Sequence, residues 1–229
     1  MKICVFSDVH GNIEALNKLI NSSDFQTADI KIFLGDAVVM GPHPNLCCKA
    51  LLDNNCIWLM GNHDSYIANG LPEDKHFSQD KIAHQNYMRS TIDPEYKEIM
   101  ENLPHQNIMN VGEKSFYFTH YMWDSWDDLA VNPDIPTQTH IETLFKNVYP
   151  QYIIYGHEHN PSHFKNNYKE YVCVGSLGMK YPGNYCMIQA DENGIEITPK
   201  KLYYDVEKVK EDIYKAGYPR ADKYIKFLN

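Results

Sequence analysis

The sequence predicts an α/β protein in which two mixed β-sheets pack face to face with helices on their outer sides. Apolar segments of strand length alternate with helix-like segments early in the chain, and short strand-like segments dominate later. Alternation of this kind favours parallel pairing and a sheet covered on both faces. Because no repeat, low-complexity tract or long linker interrupts the sequence, we expect a single domain over residues 1–229.

The first third of the chain alternates strands with helices. We predict strands at residues 2–6, 30–34 and 56–60, and helices at residues 12–21 and 44–52. In the first helix Ile13, Leu16 and Ile20 fall on one side, which is the spacing of an amphipathic helix.

Helices at residues 78–91 and 94–102 are predicted next, and most of the remaining strands follow them. Those strands are expected at residues 108–111, 115–119, 152–155, 171–174, 185–189 and 195–203. Asn193-Gly194 is a typical turn for a hairpin between the last two strands. Two short helices are expected after Asp205.

The overall composition limits the classes of function. The formal net charge is −9 with no evident basic face, which argues against binding to the backbone of duplex nucleic acid. No apolar run approaches the roughly 20 residues that span a bilayer, and Asp8 comes too early for a signal peptide. The six cysteines include no Cys-x-x-Cys pair, so we expect reduced thiols and a cytoplasmic location.

Polar side chains follow five predicted strands at the point where each strand ends. They are Asp8 with His10, then Asp36, then Asn62 with His63 and Asp64, then His120, and finally His157 with His159. In α/β sheets ligands bind beyond the carboxyl ends of strands, so we expect these side chains to meet at one site. Neighbouring glycines would allow the sharp backbone bends that such a meeting requires.

These residue types suit a pair of divalent transition metals. Imidazole and carboxylate are preferred by Mn, Fe, Ni and Zn, whereas Mg and Ca favour all-oxygen sites. The set lacks cysteine, which argues against a structural zinc site. Two divalent ions held by two aspartates would leave a positive site inside an acidic protein, so we expect it to attract phosphate.

Five motifs occur in a fixed order along the chain. They are Asp8-Val9-His10, Gly35-Asp36, Gly61-Asn62-His63-Asp64, His120 and Gly156-His157-Glu158-His159, supported by residues 35–42, 174–178 and 204–207. In this order they resemble the calcineurin-like metallophosphoesterase superfamily, and within it the small bacterial and archaeal phosphodiesterase-like branch. The resemblance covers nearly the whole chain, and five ordered motifs are far more specific than one.

The resemblance implies a dinuclear metal centre with identifiable ligands. One ion is expected at Asp8, His10, Asp36 and His159, and the other at Asp36, Asn62, His120 and His157, so that Asp36 is shared. The implied activity is hydrolysis of phosphate esters by a hydroxide held between the two ions. Mn²⁺ is the first candidate metal, and Fe, Ni, Zn or Co are the alternatives.

The resemblance also implies catalytic roles for two neighbouring residues. His63 is expected to contact the phosphate and to give a proton to the leaving group, and Asp64 is expected to orient the His63 ring. Nearby cations would lower the pKa of His63 and Asp64 would raise it. We therefore expect a proton donor near neutral pH.

Several positions depart from the family pattern or carry weaker signals. Val39 stands where the family often has a second aspartate, and Tyr121 where it commonly has glycine. His43 and Ser176 are candidate substrate contacts, although turn chemistry alone explains both segments. The aromatic segment 121–126 can be core, a partner surface or a wall that stacks on substrate, with core or partner surface favoured.

We predict a phosphodiesterase or phosphatase that acts on a small phosphate ester or nucleotide. The alternatives are a nuclease, a dinucleotide polyphosphate hydrolase and, third, a non-catalytic metal-binding scaffold. A scaffold related to these enzymes usually lacks a metal ligand or the histidine that corresponds to His63, and this sequence keeps both. Neither a membrane nor duplex nucleic acid is an expected partner.

Overall fold

The computed structural model describes residues 1–72, 77–125, 128–129, 136–191 and 194–228. Strands and helices alternate through the first third of the chain, as predicted. The elements there are β1 (Lys2–Phe6), α1 (Ile13–Ile20), α2 (Ser23–Gln26), β2 (Ile30–Phe33), α3 (Pro44–Asp53), β3 (Ile57–Trp58) and α4 (Asn62–Asn69). Only two residues of the strand predicted at residues 56–60 are in β3, and α4 begins in the motif that follows it.

Two further helices precede the second group of strands. The order is α5 (Gln79–Thr91), α6 (Pro94–Glu101), β4 (Gln106–Val111), β5 (Lys114–Thr119), β6 (Trp123–Ser125), β7 (Asp128–Leu129), α7 (Gln138–Leu144), β8 (Tyr152–Tyr155), β9 (Ser162–Lys165), β10 (Glu170–Cys173), β11 (Gly183–Asp191), β12 (Gly194–Leu202), α8 (Val206–Ala216), α9 (Ala221–Ile225) and a final 3-10 turn at Lys226–Leu228. None of the helices in these described ranges has the length and apolar character needed to cross a bilayer.

Two mixed five-stranded sheets form the centre of the molecule, which confirms the predicted fold class. The first has the strand order β12-β11-β1-β2-β3, and the second has the order β4-β5-β8-β10-β9. Strands β1, β2 and β3 are parallel to one another, as are β5, β8 and β10. The antiparallel pairs are β1 with β11, β11 with β12, β4 with β5, and β9 with β10. The predicted hairpin joins β11 to β12 with Asp191 paired to Gly194, and Asn193 lies outside the described residues.

Alternation of side chains along the strands divides the core into layers. Ile3 and Val5 of β1 point between the sheets, where they share a buried cluster with Phe116 and Phe118 of β5. Phe6 of β1 points to the opposite face and packs with the apolar side of α1 and with α3 and α8. Residues two apart on a strand share a face, so each sheet buries both of its sides.

Candidate metal centre

Loops that follow the parallel strands of the two sheets meet at one place. The N–H of Asp8 donates to the Gly35 carbonyl at 3.0 Å, which joins the loops after β1 and β2. The N–H of Gly156 donates to the His120 carbonyl at 2.8 Å, which joins the loops after β8 and β5. The N–H of His157 donates to Oδ2 of Asp8 at 3.0 Å and so connects the two sheets.

Six of the predicted ligands form two clusters of three, and within each cluster the ligand atoms lie within 4.8 Å of one another. The clusters are Asp8 with His10 and His159, and Asp36 with His120 and His157. In the first, Nε2 of His159 is 3.2 Å from Oδ1 of Asp8 and 3.1 Å from Nε2 of His10. Two imidazole nitrogens that face each other with a carboxylate oxygen are arranged to share one cation.

One oxygen of Asp36 faces both clusters. Its Oδ2 is 3.3 Å from Nε2 of His120 and 3.8 Å from Nε2 of His10, which belongs to the other cluster. The second oxygen, Oδ1, accepts a hydrogen bond from the N–H of His63 at 2.8 Å, and this contact fixes the carboxylate. Asp36 therefore has the position that a carboxylate shared between two cations requires.

Several buried polar atoms of the site have no hydrogen-bond partner in the described parts of the chain. They include Oδ1 of Asp8, Oδ1 of Asn62 and Nδ1 of His120. Buried polar groups nearly always have a partner in folded proteins, and a bound ion can take the place of a missing one. The donor set therefore fits divalent metal ions, and Asn62 adds an oxygen that the two clusters do not include.

Five of the ligand residues have a left-handed backbone. The φ angles are 55° at Asp8, 49° at His10, 63° at Asp36, 68° at His157 and 56° at His159. Such angles are uncommon outside glycine, and strained backbone collects at functional sites. Close approach of the loops also requires glycine, because a Cβ on Gly61 would lie 2.2 Å from Oδ1 of Asp36.

The clustered charges shift the pKa values of the ligand side chains. Burial lowers the pKa of His120, but Asp36 and Asp8 outweigh it and raise the pKa to about 9. Burial, followed by the charge of His120, lowers the pKa of His157 to about 4. Burial raises the pKa values of Asp8 and Asp36, but the neighbouring imidazoles outweigh it and lower both. Both carboxylates are therefore ionised and able to bind cations at neutral pH.

Asp64 does not orient the His63 ring, contrary to the prediction from the motif. Its Oδ1 accepts from the Ala37 N–H at 2.9 Å, and its Oδ2 accepts from the Asp36 N–H at 2.8 Å. The indole N–H of Trp58 also donates to Oδ2, at 3.2 Å. Successive residues of a helix point in different directions, so Asp64 and His63 diverge within the first turn of α4. Asp64 thus fixes the backbone of the loop that carries Asp36.

His63 lies beside the ligand rings, and its imidazole is neutral in the metal-free protein. Its ring centroid is 5.3 Å from that of His10, and its Nδ1 is buried without a partner among the described residues. Burial lowers the pKa of His63, Asp36 opposes this, and the charges of His10 and Lys81 add to it, which gives about 3. The imidazole of the metal-free protein is therefore neutral at pH 7, whereas the near-neutral pKa was predicted for the metal-loaded site and is not tested by this value.

The two candidate substrate contacts have partners within the protein. Ser176 is fully buried, and its hydroxyl donates to the Asp8 carbonyl at 2.8 Å and accepts from the Met179 N–H at 2.8 Å. Ser176 therefore positions the Asp8 loop, and its buried hydroxyl is not presented to a substrate. Nε2 of His43 is 3.1 Å from Oδ2 of Asp212, which joins the start of α3 to α8.

Tyr121 belongs to the core, one of the two interpretations favoured from sequence. It is fully buried and packs beside Phe145 and Tyr155 on the outer face of the second sheet. Its hydroxyl donates to Oε1 of Glu158 at 3.3 Å, between the two histidines of the last motif. Trp123 is partly buried against the same cluster, while Trp126 lies outside the described residues.

Asn12 is a positioning residue that the sequence-based prediction missed. Its Nδ2 donates to the Gly178 carbonyl at 2.8 Å, and its Oδ1 accepts from the Ala15 N–H at 3.0 Å. The side chain thus caps α1 and ties the loop after β1 to the loop that carries Ser176. An asparagine at the helix start, two residues after His10, was the available signal.

Two mixed five-stranded sheets, with aspartate and histidine clusters where their loops meet, form the fold of the metallophosphoesterases, as the motifs predicted. The chain belongs to the calcineurin-like phosphoesterase superfamily, whose domain matches residues 1–193.

Similar proteins agree with this assignment over the length of the chain. An uncharacterised protein of Methanocaldococcus jannaschii is 29% identical over 241 residues, which cover 95% of this chain and 93% of the relative. A metallophosphoesterase from Sphaerobacter thermophilus has a similar fold, with a TM-score of 0.77, 20% identity, and coverage of 100% of this chain and 98% of the other. A hypothetical protein from Pyrococcus horikoshii gives a TM-score of 0.84 at 18% identity, with coverage of 99% and 97%.

Proposed function

We propose that this chain hydrolyses phosphate esters at a centre of two divalent metal ions. The observation that carries the proposal is the position of Asp36, whose Oδ2 lies within 3.8 Å of a histidine from each cluster. Membership of the superfamily supports phosphoesterase chemistry in general. The shared carboxylate is our reason for proposing two ions rather than one.

Each ion would be held by two imidazoles together with oxygen ligands. We assign Asp8, His10, Asp36 and His159 to one ion, and Asp36, Asn62, His120 and His157 to the other. When bound, the two cations would hold phosphate oxygens and lower the pKa of a bound water to about 7 in favourable cases. The hydrogen bonds from His157 to Asp8 and from His63 to Asp36 keep the remaining carboxylate oxygens turned to the centre.

The donor chemistry favours transition metals. Four of the seven proposed ligands are imidazoles, which hard, oxygen-seeking ions such as Mg²⁺ and Ca²⁺ bind poorly. We propose Mn²⁺ as the first candidate, with Fe, Ni, Zn or Co as alternatives. All six cysteines are free thiols, which supports the proposal of a reducing, cytoplasmic location.

We propose a small phosphate ester or nucleotide as the substrate. Two divalent ions exceed the charge of two aspartates, so the centre would attract phosphate although the net charge of the chain is −9. The same net charge disfavours a long duplex as substrate. The complete set of ligand residues favours an enzyme over a non-catalytic scaffold.

Metal removal and replacement test the proposal. Chelated protein should be inactive on nitrophenyl phosphate, bis(nitrophenyl) phosphate and dinucleoside polyphosphates, and Mn²⁺ should restore activity better than Mg²⁺ or Ca²⁺. Elemental analysis of the reloaded protein should give two ions per chain. An active enzyme with one ion per chain would contradict the dinuclear centre, and full activity with Mg²⁺ alone would contradict the ligand assignment.

A matched pair of histidine variants tests whether the metal is bound at the predicted ligands. His159→Ala should lower the metal content and the activity, because it removes a ligand from the first cluster. His163→Ala removes an exposed imidazole from β9, where it pairs with Glu170, and should leave both unchanged. Equal metal loss in the two variants would mean that the metal is bound elsewhere.

A further inference from the structure

The C-terminal helices pack against the loop that follows Asp36. The family domain matches residues 1–193, so α8, α9 and the short segment between them lie outside it. Tyr218 belongs to that segment, and its hydroxyl donates to the Met40 carbonyl. The pair of His43 and Asp212 joins the same loop to α8 at 3.1 Å. A part of the chain outside the matched domain is therefore fixed to the backbone four residues after a proposed metal ligand.

The loop that Tyr218 contacts has an unusual backbone. The φ angles of Val39 and Met40 are 70° and 73°, in the left-handed region. Residues other than glycine rarely adopt this region, and a β-branched residue such as valine is an outlier there. Such a conformation persists only where the surrounding structure holds it. The hydroxyl of Tyr218, a residue only 4% exposed, supplies one of the contacts that hold it.

The same loop holds His10 from the other side. Nδ1 of His10 is 3.3 Å from the Val38 carbonyl, and a carbonyl can only accept, so this nitrogen carries a proton. In the metal-loaded protein Nε2 is then left for the cation, and it faces Nε2 of His159 at 3.1 Å. The N–H of Gly41 donates to the His10 carbonyl at 2.7 Å. Val38 and Gly41 flank the two left-handed residues, so a change in those residues would move both partners of His10.

We propose that Tyr218 is a positioning residue for the metal centre, which holds the loop at residues 38–41 so that His10 presents Nε2 to the ion of the first cluster. This inference rests on the proposed function, since it takes His10 to be a metal ligand. Removing a partner that orients a ligand histidine typically lowers metal affinity ten- to a hundredfold. Because Tyr218 acts one step further away, through the backbone of the loop, we expect a loss of about tenfold.

The effect of Tyr218 should be confined to one cluster. His120 and His157, the histidines of the second cluster, come from loops that follow β5 and β8 of the other sheet. The shared carboxylate of Asp36 is fixed separately, by the N–H of His63 at 2.8 Å. Loss of the Tyr218 hydroxyl should therefore weaken the ion at Asp8, His10 and His159 and leave the other ion in place.

Single-site variants measure the two clusters separately. His157→Ala keeps the first cluster complete, and His159→Ala keeps the second complete. Chelator competition gives the Mn²⁺ affinity of each variant with and without Tyr218→Phe. We expect Tyr218→Phe to weaken binding about tenfold in His157→Ala and to change it by less than about twofold in His159→Ala. Equal changes in the two backgrounds would overturn the proposal.

The intact protein provides a second measurement if either single-site variant binds no Mn²⁺. Titration of the metal-free chain with Mn²⁺ should then show two binding steps, of which Tyr218→Phe weakens one. Weakening of both steps, or of neither, would overturn the proposal.

Tyr185→Phe is the matched control. Tyr185 is buried in the same apolar cluster as Tyr218, and its hydroxyl donates to Oδ2 of Asp24 at 2.8 Å. The control should lower the free energy of unfolding as Tyr218→Phe does, but should keep the Mn²⁺ affinity of both clusters. A tenfold loss of affinity in Tyr185→Phe would show that a loosened core is sufficient, and would overturn the role of Tyr218.

The Nδ1 proton of His10 tests the route through the loop. In the Zn²⁺-loaded protein this proton is expected to bond to the Val38 carbonyl, and NMR measures its exchange with water. Exchange should be faster in Tyr218→Phe than in Tyr185→Phe. Lower affinity with unchanged exchange would overturn the route through His10.

Failure of the positioning role and failure of the proposed function give different results. If Mn²⁺ binding depends on Tyr218 as expected but no phosphate ester is hydrolysed, the positioning role stands and the proposed reaction is wrong. If esters are hydrolysed and Tyr218→Phe keeps full affinity in the first cluster, the reaction stands and the positioning role is wrong. If the unaltered protein binds no metal ion, both are wrong.

Discussion

Oδ2 of Asp36 and Nε2 of His120 lie 3.3 Å apart, and both side chains are almost fully buried. Because the pKa of His120 is raised to about 9, the two form an ion pair at neutral pH in the metal-free protein. A cation that binds between them must displace the proton of the imidazole. Oδ2 of Asp36 therefore pairs with the protonated imidazole of His120 in the metal-free protein, and would bind a metal ion in the metal-loaded protein.

Asp36→Asn should remove most of the activity together with one metal ion. Asparagine keeps an oxygen that can accept the His63 N–H, but it loses the charge that both clusters face. We expect metal content to fall to one ion or fewer per chain, and activity to fall about a hundred- to ten-thousandfold. Elemental analysis and ester hydrolysis measure the two effects.

The control for this variant is Asp53→Asn, which removes an exposed carboxylate paired with Lys49. It should change neither metal content nor activity. Circular dichroism should show that Asp36→Asn is folded. Two tightly bound ions in folded Asp36→Asn would mean that this carboxylate is not shared.

The positions of the ligands were predictable from sequence because strand ends fix them. Asp8, Asp36 and His120 each follow closely after a short apolar strand. The end of the strand therefore fixes where each of these side chains lies. The direction of side chains in the first turn of α4 was not predictable in the same way. Because Asp64 follows His63 in the sequence, it was expected to orient the His63 ring. Its carboxylate instead accepts hydrogen bonds from backbone N–H groups 27 and 28 residues earlier in the chain.

The contacts of Ser176 were likewise not predictable from the sequence. Its sequence segment indicates a tight turn near the site, but only the three-dimensional path brings its hydroxyl to the Asp8 carbonyl, 168 residues away. Long-range contacts of buried hydroxyls leave no periodic pattern in a sequence. Such residues can be recognised as positioning residues only when the loops that they join are known.

Ser176→Ala should destabilise the protein without changing substrate affinity. The substitution removes the partner of the Met179 N–H and one partner of the Asp8 carbonyl, and an unpaired buried group costs about 1–3 kcal/mol. Denaturant unfolding measures this loss. In Ser90→Ala, whose hydroxyl is exposed, the change should stay within about 0.5 kcal/mol. A raised KM with unaltered stability would show instead that Ser176 contacts the substrate.

His84 should make the stability of the metal-free protein depend on pH. Its Nδ1 is 2.7 Å from the Pro219 carbonyl, and burial lowers its pKa from 6.5 to about 4, with Arg220 adding to the shift. The unfolded chain therefore binds more protons than the folded one between these values. The contribution of neutral His84 is complete above pH 6.5 and is lost as the pH falls toward 4, by about 3 kcal/mol.

The variant His84→Gln isolates this contribution. Glutamine can still donate to the Pro219 carbonyl but does not titrate, so the variant should lose less stability than the unaltered protein between pH 6.5 and 4. Unfolding free energies at several pH values give the difference between the two proteins. Parallel curves over this window would show that His84 is not the titrating group.

The most discriminating prediction concerns His63, whose pKa is lowered to about 3 by burial and by neighbouring positive charge. Two bound cations would add more positive charge and lower the pKa further. The neutral imidazole is then a hydrogen-bond donor to the phosphate rather than an imidazolium that delivers a proton. Because the phosphate is common to all substrates, His63→Asn should slow alkyl and nitrophenyl esters by similar factors, about ten- to a hundredfold, with metal content unchanged.

The leaving group decides between these roles for His63. Nitrophenolate departs without a proton, whereas an alkoxide needs one, and general acid catalysis contributes about a hundred- to ten-thousandfold when it operates. A much larger loss on the alkyl ester would therefore show that His63 is protonated in the metal-loaded enzyme and acts as the acid. Loss of metal in the variant would place His63 among the ligands. Similar losses with full metal content would leave it as a residue that binds the phosphate beside Asp36.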